Sequence, residues 1–356
     1  MGAAYTRPLG ELRRSDAAEF GGKSANLGEL LSADARVPPG FGVSARAFGL
    51  FVEETGLRGT IGAAVARTSA GDVESLAAAS KTIGEAMRFA PLPGAVRDEL
   101  GRRHGELAGA SEGKLPPLAV RSSALGEDTP EASHAGQQES FLWIRGVEQL
   151  YDAVRDCWAS LYTPQAIGYR ATLSAAPEPA MGVTVQHMVD AEVSGVMFTC
   201  NPVSGDPSMV AINASWGLGI AVVGGELTPD DYLVSKVTGE VVRRTVSSKH
   251  VEYVPDDAGR GTVRREVPAG RRDAPCLGEQ ELAALVDAAR GVERHFGSHQ
   301  DIEWAISRAS ALPDSLQLLQ ARPVTALPER APRLSASALS LVMSTFGAGS
   351  TTRKQV

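Results

Sequence analysis

Apolar residues recur at helical spacing in several segments of the chain. The strongest pattern covers residues 279–296, where one face carries Leu282, Leu285, Val286, Ala289, Val292 and Phe296. Similar spacing predicts helices after Ser44, at 74–88, from Pro93 to about residue 107, and at 146–162. All but one of these helices precede residue 181, so helices are expected to dominate the first half.

From residue 181 the pattern changes to the alternation that is typical of strands. Apolar and polar residues alternate over 183–189, and further apolar runs predict strands at 193–199, 210–214, 301–306 and 316–322. We therefore expect an α+β fold with three parts: an N-terminal α/β subdomain over 1–180, a strand-rich subdomain over 181–328, and a flexible tail over 329–356.

A cluster of polar residues follows the short apolar run at 118–120. Arg121 stands at the end of this predicted strand, and Ser122 and Ser123 come next, before a loop that contains Gly136. The guanidinium group offers a fixed fork of donors to phosphate oxygens, and hydroxyls and freed N–H groups can complete the shell. The alternative is a surface arginine beside an ordinary loop.

Near the N-terminus, Gly21 and Gly22 precede Lys23 at a predicted step from loop to helix. A lysine there can lie beside phosphates. The segment is not a Walker A loop, because that motif needs a glycine at position 17, which is Ala17. The alternative is a capped helix with an exposed lysine.

The two strands near the end carry polar residues on one side. If 301–306 and 316–322 pair as a hairpin, Glu303 can lie near Gln320 and Arg322. A carboxylate and an amide oxygen can hold Mg²⁺, and the arginine would meet phosphate. A routine surface ion pair is the alternative. Gln186, on an earlier strand, can contact an adenine edge or a metal-bound water, or be an exposed strand residue.

Composition narrows the class of protein. The 356 residues carry a net charge of −7, which argues against a general nucleic-acid binder. The three cysteines have no paired spacing that indicates zinc. No run of signal-peptide character or of membrane-spanning length occurs, so the default expectation is a cytoplasmic protein without membrane contact. The arginines at 264, 265, 271 and 272 are interpreted as residues of a solvated loop.

Several segments together resemble one family over about residues 10–328. In order along the chain, they are GGKSANLGEL, LAVRSSALGEDTPEASHAGQQESFL, SGVMFTCNPVSGD, SWGLG with GGELTPDDYLV, DIEWAI and LLQARPV. They are similar to the nucleotide-binding domain of phosphoenolpyruvate synthase, pyruvate phosphate dikinase and rifampicin phosphotransferase. The resemblance implies an ATP-grasp fold, in which two subdomains clamp ATP and Mg²⁺.

The resemblance also implies roles for particular residues. Lys23, Arg121 and Arg322 would hold phosphates and act as the catalytic cations. Gly136 would belong to the loop that covers the nucleotide. Ser140 stands where the family often has threonine, so its hydroxyl could keep that role.

For the remaining positions, the resemblance implies a nucleotide contact and a metal site. Gln186 would contact ATP, and Glu303 and Gln320 would hold Mg²⁺. One position departs from the family, because Ile220 stands where relatives usually carry glutamate.

A second departure concerns the phosphoryl acceptor. Full-length relatives have a swivelling domain whose histidine carries the phosphate, and none of the six histidines here has that context; no room is left for a barrel domain either. We therefore expect an ATP-splitting phosphotransferase, with AMP as product, that acts on a histidine of a separate partner and serves an unknown small-molecule acceptor. A self-sufficient kinase or ligase and a nucleotide-sensing regulatory subunit remain as alternatives.

Overall fold

The computed structural model describes residues 4–69, 71–109, 116–125, 139–172, 178–256 and 261–324. Its helices include the strongest one predicted from sequence, which is confirmed with the same ends. The helices are α1 (Ala17–Ser32), α2 (Ala45–Glu54), α3 (Leu57–Val65), α4 (Val73–Phe89), α5 (Gly94–Gly109), α6 (Gly146–Ala159), α7 (Pro164–Ala171), α8 (Ile220–Val223), α9 (Ala269–Arg272) and α10 (Glu279–Phe296).

Thirteen strands are described, and every pair that they form is antiparallel. They are β1 (Thr6–Pro8), β2 (Gly40–Val43), β3 (Leu118–Ala124), β4 (Ser140–Ile144), β5 (Met181–His187), β6 (Ala191–Phe198), β7 (Met209–Trp216), β8 (Asp230–Ser235), β9 (Val241–Thr245), β10 (Val251–Pro255), β11 (Thr262–Glu266), β12 (Gln300–Ser307) and β13 (Leu316–Pro323).

The strands form two large sheets and one hairpin. The first sheet has the order β1-β2-β5-β3-β4, and the second has the order β13-β12-β6-β7-β8-β9. Strands β10 and β11 pair with each other, so Arg264 and Arg265, which were assigned to a loop from the sequence, lie on a strand. Helices and antiparallel sheets thus occur together, and the predicted α+β class is confirmed.

Each large sheet has its own apolar core. The first sheet is packed by helices α2 to α7, and the ring of Trp158 lies 5.8 Å from that of Phe48 and 5.1 Å from that of Phe51. The second core combines β6, β7, β8, β12 and β13 with helix α10. The two sheets and their cores do not divide the elements strictly by their order in the chain. Strand β5 lies inside the first sheet, and Leu27 and Leu30 of α1 pack in the second core.

A buried ion pair fixes the segment between β9 and β10 to the second sheet. Lys249 Nζ donates to Asp230 Oδ1 over 2.5 Å, and both side chains are fully buried. The main-chain N–H groups of Ser247 and Cys276 also donate to this carboxylate, over 3.0 and 2.8 Å. The two buried charges are thus paired with each other, and the carboxylate is also hydrogen-bonded to the main chain, which offsets the cost of removing it from water.

In the part of the chain that the structure describes, no helix combines the length and apolar character needed to cross a bilayer. The predicted tail over 329–356 and the site residue Gly136 lie outside the described residues.

Candidate functional site

A cavity of about 660 Å³ opens between the two large sheets. Both sheets contribute to its lining: Lys23, Arg121 and Gln186 come from the first sheet and helix α1, and Glu303 comes from β12 of the second. Residues that are far apart in sequence therefore surround one space, of the size that proteins use for ligands.

Lys23 reaches this cavity because helix α1 changes direction at Gly21. Gly21 has φ +80°, and a Cβ atom there would lie 2.1 Å from the carbonyl oxygen of Ser123. Only glycine allows this close approach. Beyond the break, the main-chain N–H of Ser24 donates to Ser123 Oγ (3.1 Å), and Lys23 Nζ donates to the carbonyl oxygen of Ser122 (2.9 Å). The lysine is thus held against strand β3.

Arg121 extends from strand β3 to the second sheet. Its Nη1 donates to the carbonyl oxygen of Leu319 over 2.8 Å. Its Nη2 donates to Glu303 Oε2 over 2.5 Å and to Gln320 Oε1 over 3.0 Å. One guanidinium group therefore connects the two sheets across the cavity through three oxygen atoms.

The hairpin of β12 and β13 brings Glu303 and Gln320 together, as the sequence predicted. In its register Glu303 lies directly opposite Gln320. Ile302 and Trp304, on either side of Glu303, are fully buried in the second core. Because neighbouring residues of a strand face opposite ways, this burial turns Glu303 toward the cavity.

The charges around Glu303 favour its ionised form. Burial acts to raise the pKa of the carboxyl, but the positive charges of Arg121 and Lys23 outweigh it, so the pKa lies below its ordinary value. The cavity therefore contains a carboxylate already balanced by cations.

Arg322 lies two pairs further along the hairpin, opposite Asp301. Its Nε donates to Asp301 Oδ2 over 2.9 Å, and its side chain is 52% exposed. Burial and the charge of Glu303 raise the pKa of Asp301, although Arg322 acts to lower it. The structure thus places Arg322 in an ion pair beside the site and outside the cavity lining.

Two other predicted residues line the cavity. Gln186 is 2% exposed, and its Nε2 donates to the carbonyl oxygen of Pro38 over 3.1 Å. Ser140 lies on β4, opposite Arg121 in the strand register. These two side chains therefore border the same space as Arg121.

The serines after Arg121 differ from the sequence prediction. Ser122 and Ser123 were expected to complete a phosphate shell, but both are almost fully buried. Ser122 Oγ accepts from the N–H of Glu139, and Ser123 Oγ accepts from that of Ser24. Their hydroxyls therefore hold β4 and α1 in place, a role that depends on partners distant in sequence.

An apolar wall forms another part of the cavity, and of its residues only Ile220 was singled out in the sequence. They pack together and border the same space: Met188, Val189, Ala191, Leu218, Ile220, Ala305 and Leu319. Scattered apolar residues carry no chemical feature in the sequence that distinguishes the wall of a cavity from a core. Ile220, which departs from the family glutamate, contributes an apolar side chain to this wall.

The oxygen atoms that accept hydrogen bonds from Arg121 have the chemistry of a cation site. A carboxylate, an amide oxygen and a main-chain carbonyl converge on one guanidinium group. Hard oxygen ligands of these types suit Mg²⁺. Glu303 and Gln320 therefore fit the metal that the sequence predicted. Among the described residues, no three His, Cys, Asp or Glu side chains form a metal-binding group.

The cleft thus combines cations, an ionised carboxylate and an apolar wall, which suits a phosphate ester that carries an aromatic group. Comparison with known proteins identifies the family. The model of the pyruvate phosphate dikinase AMP/ATP-binding domain matches residues 17–340, and the chain belongs to this family. The resemblance drawn from the sequence motifs is confirmed.

Relatives with curated names agree with this assignment. Phosphoenolpyruvate synthase of Aeropyrum pernix is 41% identical over 86% of the chain. Probable phosphoenolpyruvate synthases of Methanothermobacter thermautotrophicus and Staphylothermus marinus are each 39% identical, over 97% and 88% of the chain. The chain spans only 40%, 49% and 40% of the length of these three relatives, respectively.

Proposed function

We propose that this chain is the ATP-binding part of a dikinase-like phosphotransferase with an ATP-grasp arrangement. The observation that carries the proposal is the convergence of Lys23, Arg121 and Glu303 on one cavity between two sheets. Phosphoryl transfer depends mostly on positioning and on neutralising charge, and cations facing a carboxylate supply both.

The two ends of the cleft suit the two ends of ATP. The apolar wall offers a surface on which a purine ring can be buried, with Gln186 at its border. Lys23 and Arg121 lie where phosphates would receive charge-assisted hydrogen bonds. In this proposal Ser140, opposite Arg121, offers its hydroxyl to the same phosphates, and Arg322 adds positive charge from outside the lining.

Glu303 and Gln320 would hold Mg²⁺ in this proposal. When bound, the ion supplies neutralisation of phosphate charge. The protein's own contribution is to orient the phosphates: Arg121 and Lys23 fix them from the first sheet, while Glu303 and Gln320 present oxygens from the second.

We further propose that a histidine of a separate partner takes the pyrophosphoryl group of ATP, so that AMP is the leaving group and the nucleotide product; water then releases the outer phosphate as inorganic phosphate and leaves one phosphoryl group on the histidine. Among the described residues, His187 is the one histidine that lines the cavity. Its Nε2 atom is shielded from solvent, and its ring is hydrogen-bonded to the main chain of Leu107. The three relatives named above are about two to two and a half times as long as their matched regions, which supports an acceptor outside the matched region.

The test is a product assay. The purified chain is incubated with ATP and Mg²⁺, alone and with the histidine-bearing domain of a relative, and the nucleotides are separated by chromatography. We expect ATP to bind in both cases and AMP to form with the histidine domain. ADP formed by the chain alone would contradict the proposal and favour a self-sufficient kinase.

A further inference from the structure

Arg121 occupies the centre of the cation site that Glu303 and Gln320 form. Its guanidinium group donates to three oxygen atoms, which belong to Glu303, Gln320 and Leu319. The side chains of Arg121 and Glu303 are only 12% and 27% exposed. The three oxygens therefore already accept hydrogen bonds from a cation of the opposite sheet.

We infer that Arg121 is an internal latch, which holds the cation site closed until a nucleotide arrives. The inference rests on the proposed function, because it assigns the same oxygens to Mg²⁺. A guanidinium group and a divalent ion cannot both occupy the position between Glu303 and Gln320. A metal ion alone must therefore displace Arg121 without offering it any new partner.

A nucleotide changes this balance because its phosphates offer Arg121 new acceptors. Arg121 can exchange the carboxylate for phosphate oxygens, which bind guanidinium equally well in a bidentate manner. The released oxygens of Glu303 and Gln320 then become available. The structure thus assigns Arg121 a second role: it makes metal binding conditional on nucleotide binding.

The latch predicts weak metal affinity in the absence of nucleotide. A site that is blocked in about nine molecules of ten loses about tenfold in apparent affinity. Titration with Mn²⁺, followed by electron paramagnetic resonance, measures this affinity directly. We expect Arg121→Met to bind Mn²⁺ without nucleotide at least about tenfold more tightly than the wild type. Equal affinities in the two proteins would overturn the inference.

Two controls and one substitute variant keep the test specific. The Arg121→Met, Glu303→Gln double variant should lose the gained affinity, because the carboxylate is gone. Arg88→Met, which removes an exposed arginine paired with Asp156 on another face, should titrate as the wild type. If Arg121→Met does not fold, Arg121→Lys replaces it. Lysine lacks the planar fork, so it should give a smaller gain in the same direction.

Separate experiments test the latch and the proposed function. Calorimetry of ATP binding in the presence of Mg²⁺ tests the proposed function, and absence of binding in the wild type would overturn it. The Mn²⁺ titrations contain no nucleotide and test the latch alone. Tight Mn²⁺ binding by the nucleotide-free wild type would refute the latch and leave the ATP site standing.

Discussion

Arg121 and Glu303 are 182 residues apart in the chain, yet Nη2 of the arginine lies 2.5 Å from Oε2 of the glutamate. The first belongs to β3 of the five-stranded sheet and the second to β12 of the six-stranded sheet. This ion pair spans the cavity. It therefore links the two sheets at the place where a ligand between them would lie.

Replacement of Arg121 by alanine is expected to weaken ATP binding in the presence of Mg²⁺. Charge-assisted hydrogen bonds to phosphate would be lost, at about 1.5–3 kcal/mol. Isothermal titration calorimetry measures the change, and Arg88→Ala serves as the matched control on an exposed surface. Unchanged ATP affinity in Arg121→Ala would remove this residue from the proposed site.

Replacement of Glu303 by glutamine is expected to shift the Mg²⁺ dependence of ATP turnover. Glutamine keeps the shape but not the charge, so half-saturation should move about tenfold higher, or about 1.4 kcal/mol. The same change at Glu192, an exposed residue of the neighbouring strand β6, should have no such effect. A wild-type metal titration in Glu303→Gln would place the metal ligand elsewhere.

Replacement of Gly21 by alanine tests the break in helix α1. A Cβ at φ +80° and 2.1 Å from the Ser123 carbonyl should lower the free energy of unfolding by about 1–3 kcal/mol. At Gly49, inside helix α2, no atom lies within 4 Å of the place where a Cβ would stand. Gly49→Ala should therefore raise the free energy of unfolding by about 0.5–1 kcal/mol. Urea unfolding measures the free energy of unfolding of both variants. Equal changes in the two would show that the close approach to Ser123 does not require glycine at position 21.

The neighbouring residues Asp230 and Asp231 provide a contrast between buried and exposed ion pairs. Lys249→Met leaves the buried Asp230 charge without its cation and should reduce the free energy of unfolding by about 3–5 kcal/mol. Arg243→Met breaks the exposed pair with Asp231 and should reduce it by about 0.2–1 kcal/mol. Chemical denaturation of both variants checks the order, and a larger loss in Arg243→Met would contradict it.

The contact between Glu29 and His295 predicts a pH dependence of stability. Burial acts to raise the pKa of Glu29, but hydrogen bonds from His295 and from the N–H of Arg14 outweigh it and lower the pKa. A carboxyl whose pKa is lowered by folding stabilises the protein above its unfolded pKa, and this stabilisation is lost as the pH falls through the folded pKa.

We therefore expect the stability difference between the wild type and Glu29→Gln to be constant near neutral pH. It should shrink as the pH falls below about 4.3, the ordinary pKa of glutamate. Thermal unfolding across acid pH measures the difference. A difference that stays constant into strong acid would show that the charge of Glu29 contributes nothing.

Local patterns in the sequence were sufficient for most elements and for part of the site. The apolar periodicity of α10 and the alternation in β12 and β13 depend on residues close in the chain, and the structure confirms them. The pairing of Glu303 with Gln320 was also predictable, because a hairpin leaves few registers that keep Ile302 and Trp304 buried.

The serines show where local pattern was not enough. Ser122 and Ser123 have the chemistry of phosphate ligands, and only the approach of Ser24 and Glu139 determines that their hydroxyls act as internal acceptors. The apolar wall was not predicted for the same reason, since Met188 and Leu319 come to line a cavity only when two sheets leave a space between them.

The sequence by itself determined the class of fold, the family and the residues that carry charge, because these depend on composition, periodicity and ordered motifs. Tertiary structure alone decided that α1 packs in the second core, that Lys23 lies against β3, and that Arg121 reaches Glu303. Those relationships join residues about a hundred or more positions apart. They follow from how two sheets pack around their cores, which no local pattern encodes.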